Sequence, residues 1–286
     1  MNHSKILIAS LHKEEAITNC LIKNKDHLSL DIDLILIREL LEEYNIYDIL
    51  TDQGSKISWS KNNKNIISND THLLFNRLTH IPKKLFEGYE EQDRDYARRE
   101  FEAYLGYAFN SFIGAGNHNV NGVCMETLSL PQQWQKVKNV GGLQIPNYYW
   151  GPMSHNTLNN DKKIIYSTIY DFLNWSKTSQ DRDEHSIFCF ERPLGEPIIV
   201  LTLGDSNLIV SDSKSIRIDI ELKILLIIKE LKKIFNYFVG EILFFVNEGD
   251  VIFGCLNQDI VVSNKNPYFE SFVCDHFKKE YYKWVN

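Results

Sequence analysis

An arginine at the end of an apolar run is a natural place to look for anion chemistry. Leu73-Leu74-Phe75-Asn76-Arg77 reads as a buried strand whose last two residues are an amide and a guanidinium. A guanidinium is a planar, permanently charged fork matched to a carboxylate or a phosphate. Asn76 and Arg77 are therefore the candidates for contacting a substrate or anion. The competing reading is a structural ion pair between Arg77 and an acid such as Asp93 or Asp95. Arg94, Arg98 and Arg99 follow on a helical stretch, where Asp93, Asp95, Glu100 and Glu102 beside them favour a solvated, ion-paired face. Gly114-Ala115-Gly116 lacks both the Lys-Ser/Thr ending of a phosphate loop and the full glycine fingerprint.

Thiol and metal chemistry find less support. The five cysteines, Cys20, Cys124, Cys189, Cys255 and Cys274, are widely spaced, with no CxxC and no Cys/His ligand spacing. Neither a zinc site nor a disulfide framework is expected, and the reducing cytosol is the default compartment. Cys255 lies in an apolar run and reads as a small buried hydrophobe rather than a nucleophile. Cys274-Asp275-His276 brings a thiol close to an imidazole, but on a terminal helix and in no recognisable motif.

The 286 residues are 43% apolar and 24% charged, enough for one large or two ordinary domains with a substantial core. Thirty-eight acidic residues against 31 basic ones, a formal charge of -7, weigh against bulk nucleic-acid affinity. Residues 222–228 form the most apolar helical window, and charges interrupt it well short of a bilayer span. The expectation is a soluble cytoplasmic protein without membrane association.

The elements that must position these residues fall into two styles. Lys5 to Ser10, a short helix over Glu14 to Leu21, Ile32 to Ile37, a helix over Arg38 to Tyr44 and Tyr47 to Leu50 alternate as strand and helix, which favours a parallel sheet. The polar tract Asp52 to Asp70 reads as a long loop or weak hairpin. Asp93 to Phe112 carries Tyr96, Phe101, Tyr104, Leu105, Ala108, Phe109 and Phe112 at helical spacing, so one face is buried. Ser129 and Pro131 open a further helix that Gly141-Gly142 closes. Beyond the loop-like 151–161, β runs at Lys163 to Ser167, Ser186 to Phe190, Pro197 to Leu203, Leu208 to Val210, Glu241 to Val246 and Val251 to Leu256 surround a helix over Ile220 to Asn236. An aromatic helix from Tyr268 to Trp284 closes the chain. The predicted organisation is an α/β domain with a parallel sheet over 1–150 and an α+β domain of antiparallel hairpins over 151–286.

An α/β first lobe, an apolar strand ending in Asn76-Arg77, a helix rich in Tyr, Ala and Glu, and Gly142-Leu143-Gln144-Ile145-Pro146 leading into a hairpin lobe together resemble the ATP-grasp superfamily. The nearest likeness is to RimK-type and glutathione-synthetase-type carboxylate-amine ligases, including members that mature peptides. The resemblance implies ATP between two antiparallel sheets, a carboxylate activated as acyl phosphate, and magnesium held by carboxylates. It also implies a ligand in the cleft between the lobes, with Arg77 on one wall.

Carried onto this chain, the strand Lys163 to Ser167 matches one that ends in a phosphate-contacting Lys, but Ser167 stands there. Lys163 and Ser167 are, with Glu191, the nucleotide-binding candidates; Phe188 to Gly195 resembles the strand and loop that contact adenine. The arginine expected after Gly195 falls near Ile198. In the last hairpin, where the family has an Asp opposite Glu-x-Asn, this chain has Ile242 and Cys255, and keeps Asn257. Glu241, one residue off, is expected on the other sheet face unless the register shifts. Asn257 and Glu241 are the metal candidates, with Asp250 and Asp259 as nearby alternatives.

Two readings follow from the resemblance. One is a non-catalytic or accessory binding protein of ligase lineage, with a depleted nucleotide and metal site, working in peptide or small-molecule modification. The other is a divergent ATP-dependent carboxylate-amine ligase acting on a peptide or amino acid, with ATP and magnesium as cofactors. Either implies a peptide or protein partner, and a homo-oligomer remains open.

Overall fold

A computed structural model describes residues 5–52, 54–62, 65–115, 128–151, 164–165, 188–210 and 216–286. The chain divides into two compact units. Unit 1 comprises residues 1–126 with Tyr237–Val239 and Pro267–Asn286, and unit 2 comprises Thr127–Asn236 and Gly240–Asn266. This differs from a linear division at residue 150. The 128–150 stretch belongs to unit 2, and the aromatic C-terminal helix belongs to unit 1.

In chain order unit 1 contains β1 (Lys5–Ser10), α1 (Ala16–Leu28), β2 (Ile32–Leu36), α2 (Ile37–Glu43), β3 (Asn45–Thr51), β4 (Gly54–Lys61), β5 (Asn65–Ser68), β6 (His72–Asn76), α3 (Arg94–Asn110) and β7 (Gly114–Ala115). Its main sheet is parallel throughout, in the order β2-β1-β6-β7. Near-continuous apolar strands such as Ile6-Leu7-Ile8-Ala9 are what a sheet covered on both faces requires. On one face Leu7, Ala9 and Leu74 join a core with Leu40 of α2 and Phe101, Leu105 and Ala108 of α3. On the other, Phe75 meets Phe238, Phe277 and Tyr281 edge-on. These last two lie on the terminal helix (Phe269–Val285, α6 below), which also packs on α1.

One expectation for this unit changes and another is decided. Tyr47 to Leu50 does not extend the parallel sheet: β3 is the outer strand of a separate antiparallel sheet, β3-β4-β5. The polar tract after it takes the hairpin form of the two expected, β4 pairing antiparallel with β5. Ile57 and Trp59 alternate with polar residues along β4, and together with Ile67 of β5 they are buried in the same core. Asn69 holds the sheet down, accepting from Ile57 N at 3.0 Å and donating to Ser55 O at 2.8 Å and Ser111 O at 3.0 Å. Along α3, Phe101, Leu105, Ala108 and Phe109 are buried as expected, whereas Tyr96 is exposed. Arg98 pairs with Glu102 at 2.6 Å and Asp95 with Lys83 at 2.9 Å, the ion-paired face read from the sequence.

Unit 2 contains α4 (Leu130–Val137), β8 (Leu143–Gln144), β9 (Tyr148–Trp150), β10 (Ile164–Ile165), β11 (Phe188–Glu191), β12 (Glu196–Leu203), β13 (Ser206–Val210), α5 (Ile218–Phe235), β14 (Val239–Asn247) and β15 (Asp250–Asn257), and α6 (Phe269–Val285) ends the chain in unit 1. It has two sheets. One is antiparallel, β10-β11-β9; the other, β13-β12-β14-β15-β8, is antiparallel except where β8 runs parallel to β15. Ser129 caps α4 through a capping box with Gln132, and Pro131 sits in its first turn. Further along α4, the Gln133 amide mimics a strand, accepting from Leu256 N at 2.8 Å and donating to Leu256 O at 3.0 Å. Trp134 Nε1 donates to Gly254 O at 2.8 Å. Beyond its short pairing with β8, the edge of β15 is thus sealed by two side chains.

Candidate functional site

Arg77 follows β6 at the carboxyl end of the parallel sheet, its backbone N–H donating to Ala9 O at 2.8 Å. The side chain is fully buried, and Nη2 donates to Glu15 Oε1 at 2.8 Å. Glu15 caps α1, its Oε2 accepting from Thr18 N and Thr18 Oγ1, each at 2.8 Å. The partner of Arg77 is therefore neither Asp93 nor Asp95 but an acid 62 residues earlier. Burial pushes the Glu15 carboxyl up, and the Arg77 charge with the bonds from Arg77 and Thr18 outweighs it, leaving the pKa below its ordinary value. Asn76 is buried beside it, its Oδ1 accepting from Leu78 N at 3.0 Å, which turns the chain out of the sheet. The guanidinium charge is matched inside unit 1 by a carboxylate.

In unit 2 the β14–β15 hairpin places the metal candidates. Glu241 lies directly opposite Asn257, and Leu243 opposite Cys255. Residues facing each other across an antiparallel pair share a sheet face. Glu241 thus lies on the same face as Asn257, the placement expected only for a shifted register. A bulge between Leu243 and Phe244 follows, at Gly254, where an added Cβ would stand 2.9 Å from Leu243 Cγ.

The Glu241 carboxylate is fully buried and occupied. It accepts from Val261 N at 3.1 Å, from Val262 N at 3.0 Å and from Ser263 N, closing the short 3-10 turn Ser263–Lys265. Asn257 Oδ1 accepts from Asp259 N at 3.0 Å. Cys255 is buried, and burial first, then the nearby Glu241 charge, push its thiol far up, so it is a neutral thiol. The Glu241 oxygens and Asn257 Oδ1 are thus already engaged by backbone N–H groups of unit 2, whereas a divalent cation takes several oxygen ligands turned to one point. Among the described residues no group of three or more His, Cys, Asp or Glu comes together.

Glu191 ends β11, its backbone N–H donating to Asn147 O at 2.8 Å and its Oε2 accepting from Asn147 Nδ2 at 2.9 Å. The pair lies in the wall of a cavity of about 650 Å³ in unit 2. Ile145, Pro146, Pro193, Leu194 and Ile252 give it apolar surface, while Gln144, Arg192, Asn247 and Asp250 give it polar groups. Gly195 shapes one side: φ is +104°, and a Cβ there would stand 2.2 Å from Val246 O. Only glycine lets these two backbones approach so closely. The cavity wall brings Glu191 and the turn at Gly195, both singled out in the sequence, together with Asn147 and Asn247, which carry no motif. Lys163 and Ser167, the remaining nucleotide candidates, lie outside the described residues. Cys274 makes no activated pair with His276: burial raises its pKa, and the His276 ring packs on Phe272 at 4.9 Å.

No sequence-family model matches the chain, and no curated protein matches it. Solved structures do. The macrocyclase MdnC of Microcystis aeruginosa MRC, solved with its precursor peptide MdnA, superposes with a TM-score of 0.69 at 12% identity, over 96% of this chain and 99% of that one. A Chryseobacterium gregarium RiPP-associated ATP-grasp ligase, solved with ADP and a leader and core peptide, gives 0.67 at 14% identity, over 99% and 94%. The ATP-grasp ligase PsnB, solved with minimal precursor, magnesium and ADP, gives 0.66 at 13% identity, over 98% and 99%. At these identities the likeness is one of fold. The parallel sheet of unit 1, followed by the antiparallel sheets of unit 2, is the ATP-grasp ligase fold.

Proposed function

We propose that this protein is a binding protein of peptide-ligase lineage, accessory to peptide modification, in which the metal corner has become structural. The observation that carries this reading is the Glu241 carboxylate, whose oxygens serve three backbone N–H groups and no open site. Asn257 is bonded within its own turn, and Cys255 supplies a neutral thiol where the resemblance asks for a carboxylate. A cluster of phosphate charges in such surroundings would lack its counter-charge. The occupant we favour is a peptide, because the structurally similar ligases were solved with precursor peptides. We also place the protein in the cytoplasm, a reading supported by Cys20, Cys189 and Cys255 being buried thiols.

A second reading has one observation in its favour. The cavity beside Glu191 is open and keeps a carboxylate in the strand that the resemblance gives to the nucleotide. A divergent carboxylate-amine ligase acting on a peptide or amino acid, using ATP and magnesium, would need that cavity. Titration of the full chain with ATP and magnesium, by calorimetry and by thermal midpoint, separates the two. A ligand that binds only the native state raises the midpoint by mass action. The accessory reading expects no saturable heat and no shift at about millimolar ATP, whereas micromolar, magnesium-dependent binding overturns it.

A further inference from the structure

Two cysteines far apart in the chain meet in unit 1, Cys20 on α1 and Cys274 on α6. The two helices pack on each other, and Cys20 Sγ lies 4.0 Å from Glu270 O. In an α-helix that carbonyl accepts the N–H of residue 274, so the Cys20 thiol sits at the turn that carries Cys274. The thiols are near enough for each to alter the other's titration, Cys20 being pushed up to about 12 by burial first and then by Cys274. Asn24 Nδ2 pins the arrangement, donating to Cys20 O at 2.9 Å and to Glu270 Oε1 at 3.0 Å, and Lys23 pairs with Glu270 at 3.3 Å. Cys20 is buried and Cys274 half-buried, whereas Cys189 and Cys255, on β11 and β15 of unit 2, are fully buried.

We propose that Cys20 and Cys274 form a reversible disulfide, an oxidation site that ties the first helix of unit 1 to its last. A peroxide is the oxidant, and it reaches Cys274 first because that thiol is the more exposed of the two. The Cys274 sulfur takes one oxygen from hydrogen peroxide as the O–O bond breaks, giving a sulfenic acid and a water molecule. The Cys20 sulfur then attacks the Cys274 sulfur. The S–O bond breaks, and the departing hydroxide leaves as water with the Cys20 proton. Two thiols and one peroxide thus give one disulfide and two waters. Because the helices already pack, side-chain rotation is what remains to bring the sulfurs to the ~2.05 Å of the bond. Burial stabilises neither thiolate, so the reduced pair gains nothing from ionisation and the disulfide, once formed, is a weak oxidant. In a reducing compartment the dithiol is the resting state and the disulfide a transient response to oxidant. A link between positions 20 and 274 closes nearly the whole chain into one loop, a large constraint on the unfolded state. This site is independent of the ligand reading above.

The test treats the reduced full chain with millimolar hydrogen peroxide, alkylates the remaining thiols and maps the peptides without reduction. The peptides holding Cys20 and Cys274 are expected as one linked species, lighter by two hydrogens than their sum. The thiol titre in denaturant falls from the five of the sequence by one pair, and dithiothreitol restores it. The thermal midpoint of the oxidised chain rises by about 5–10 °C over that of the reduced chain. Cys274→Ser keeps the circular dichroism spectrum of the parent, forms no such link and shows no rise. A parent chain in which both thiols are still alkylated after peroxide overturns the proposal. So does Cys274 carried on to sulfinic acid with no link, a link that joins two chains, or an oxidised chain whose midpoint is unchanged. If Cys274→Ser does not fold, the peptide map of the unsubstituted chain decides alone.

Discussion

Replacing Glu241 with Ala separates a structural carboxylate from a metal ligand. In unit 2 this residue is fully buried, and the N–H groups of Val261, Val262 and Ser263 all converge on it. Truncation leaves three donors facing a small void, each costing about 1–3 kcal/mol if water cannot reach it. Relaxation of the Ser263–Lys265 turn recovers part of that, so a net loss of about 4 kcal/mol is expected. For a chain of this size the midpoint then falls by roughly 8–16 °C. Glu241→Gln keeps one acceptor oxygen but turns its NH₂ toward donors, and is expected to cost about half as much. Thermal and urea unfolding, followed by circular dichroism, give both numbers. A Glu241→Ala chain with an unchanged midpoint would refute the capping argument and return this residue to the metal candidates.

Arg77→Ala strands the Glu15 carboxylate in a buried site, and a loss of about 3–5 kcal/mol is expected by denaturant melting, against a smaller loss for the double replacement with Glu15→Gln. The pH dependence follows from the depressed Glu15 carboxyl. Its contribution is complete above the ordinary value of 4.5 and is lost as pH falls through the lower folded value, so Arg77→Ala should flatten the acid limb of a stability–pH profile below 4.5. Gly195→Ala forces a Cβ against Val246 O, whereas Gly249→Ala meets nothing within 4 Å and bears only the strain of φ +99°. The first should lose several kcal/mol of stability and the second about 1–2 kcal/mol. Equal losses in the two melting curves would show that the 195–246 approach does not constrain the cavity wall.

Periodicity carried the fold a long way. The parallel sheet of unit 1, the buried face of α3, the capped α4 and the last hairpin are each legible because burial imposes its own spacing on apolar residues. Composition left one tract open between loop and hairpin. The tract from Asp52 to Asp70 is polar enough to pass for a loop, yet Ile57 and Trp59 alternate correctly for a half-buried strand. Trp59 closes that argument only in three dimensions, where its Nε1 donates to Tyr104 Oη at 2.7 Å, 45 residues away. The membership of α6 in unit 1 was equally invisible, since an aromatic helix carries no address for the sheet that it covers.

Sequence alone determined which residues were candidates: Asn76, Arg77, Glu191, Glu241 and Asn257 are chemically able groups at the ends of apolar strands. Tertiary structure decided what they do. Arg77 is matched by Glu15, an acid supplied by the start of α1, and Glu241 is consumed by the turn that follows Ile260. The face of Glu241 stayed open in the sequence because a strand's alternation fixes side-chain direction only relative to its own neighbours. The pairing Glu241 to Asn257 across two strands sets the shared face, and that register is a long-range fact. Charge behaves the same way. An ionisable residue declares its pKa range by type, but whether it binds a ligand or an N–H of its own chain depends on which groups folding brings within 3 Å.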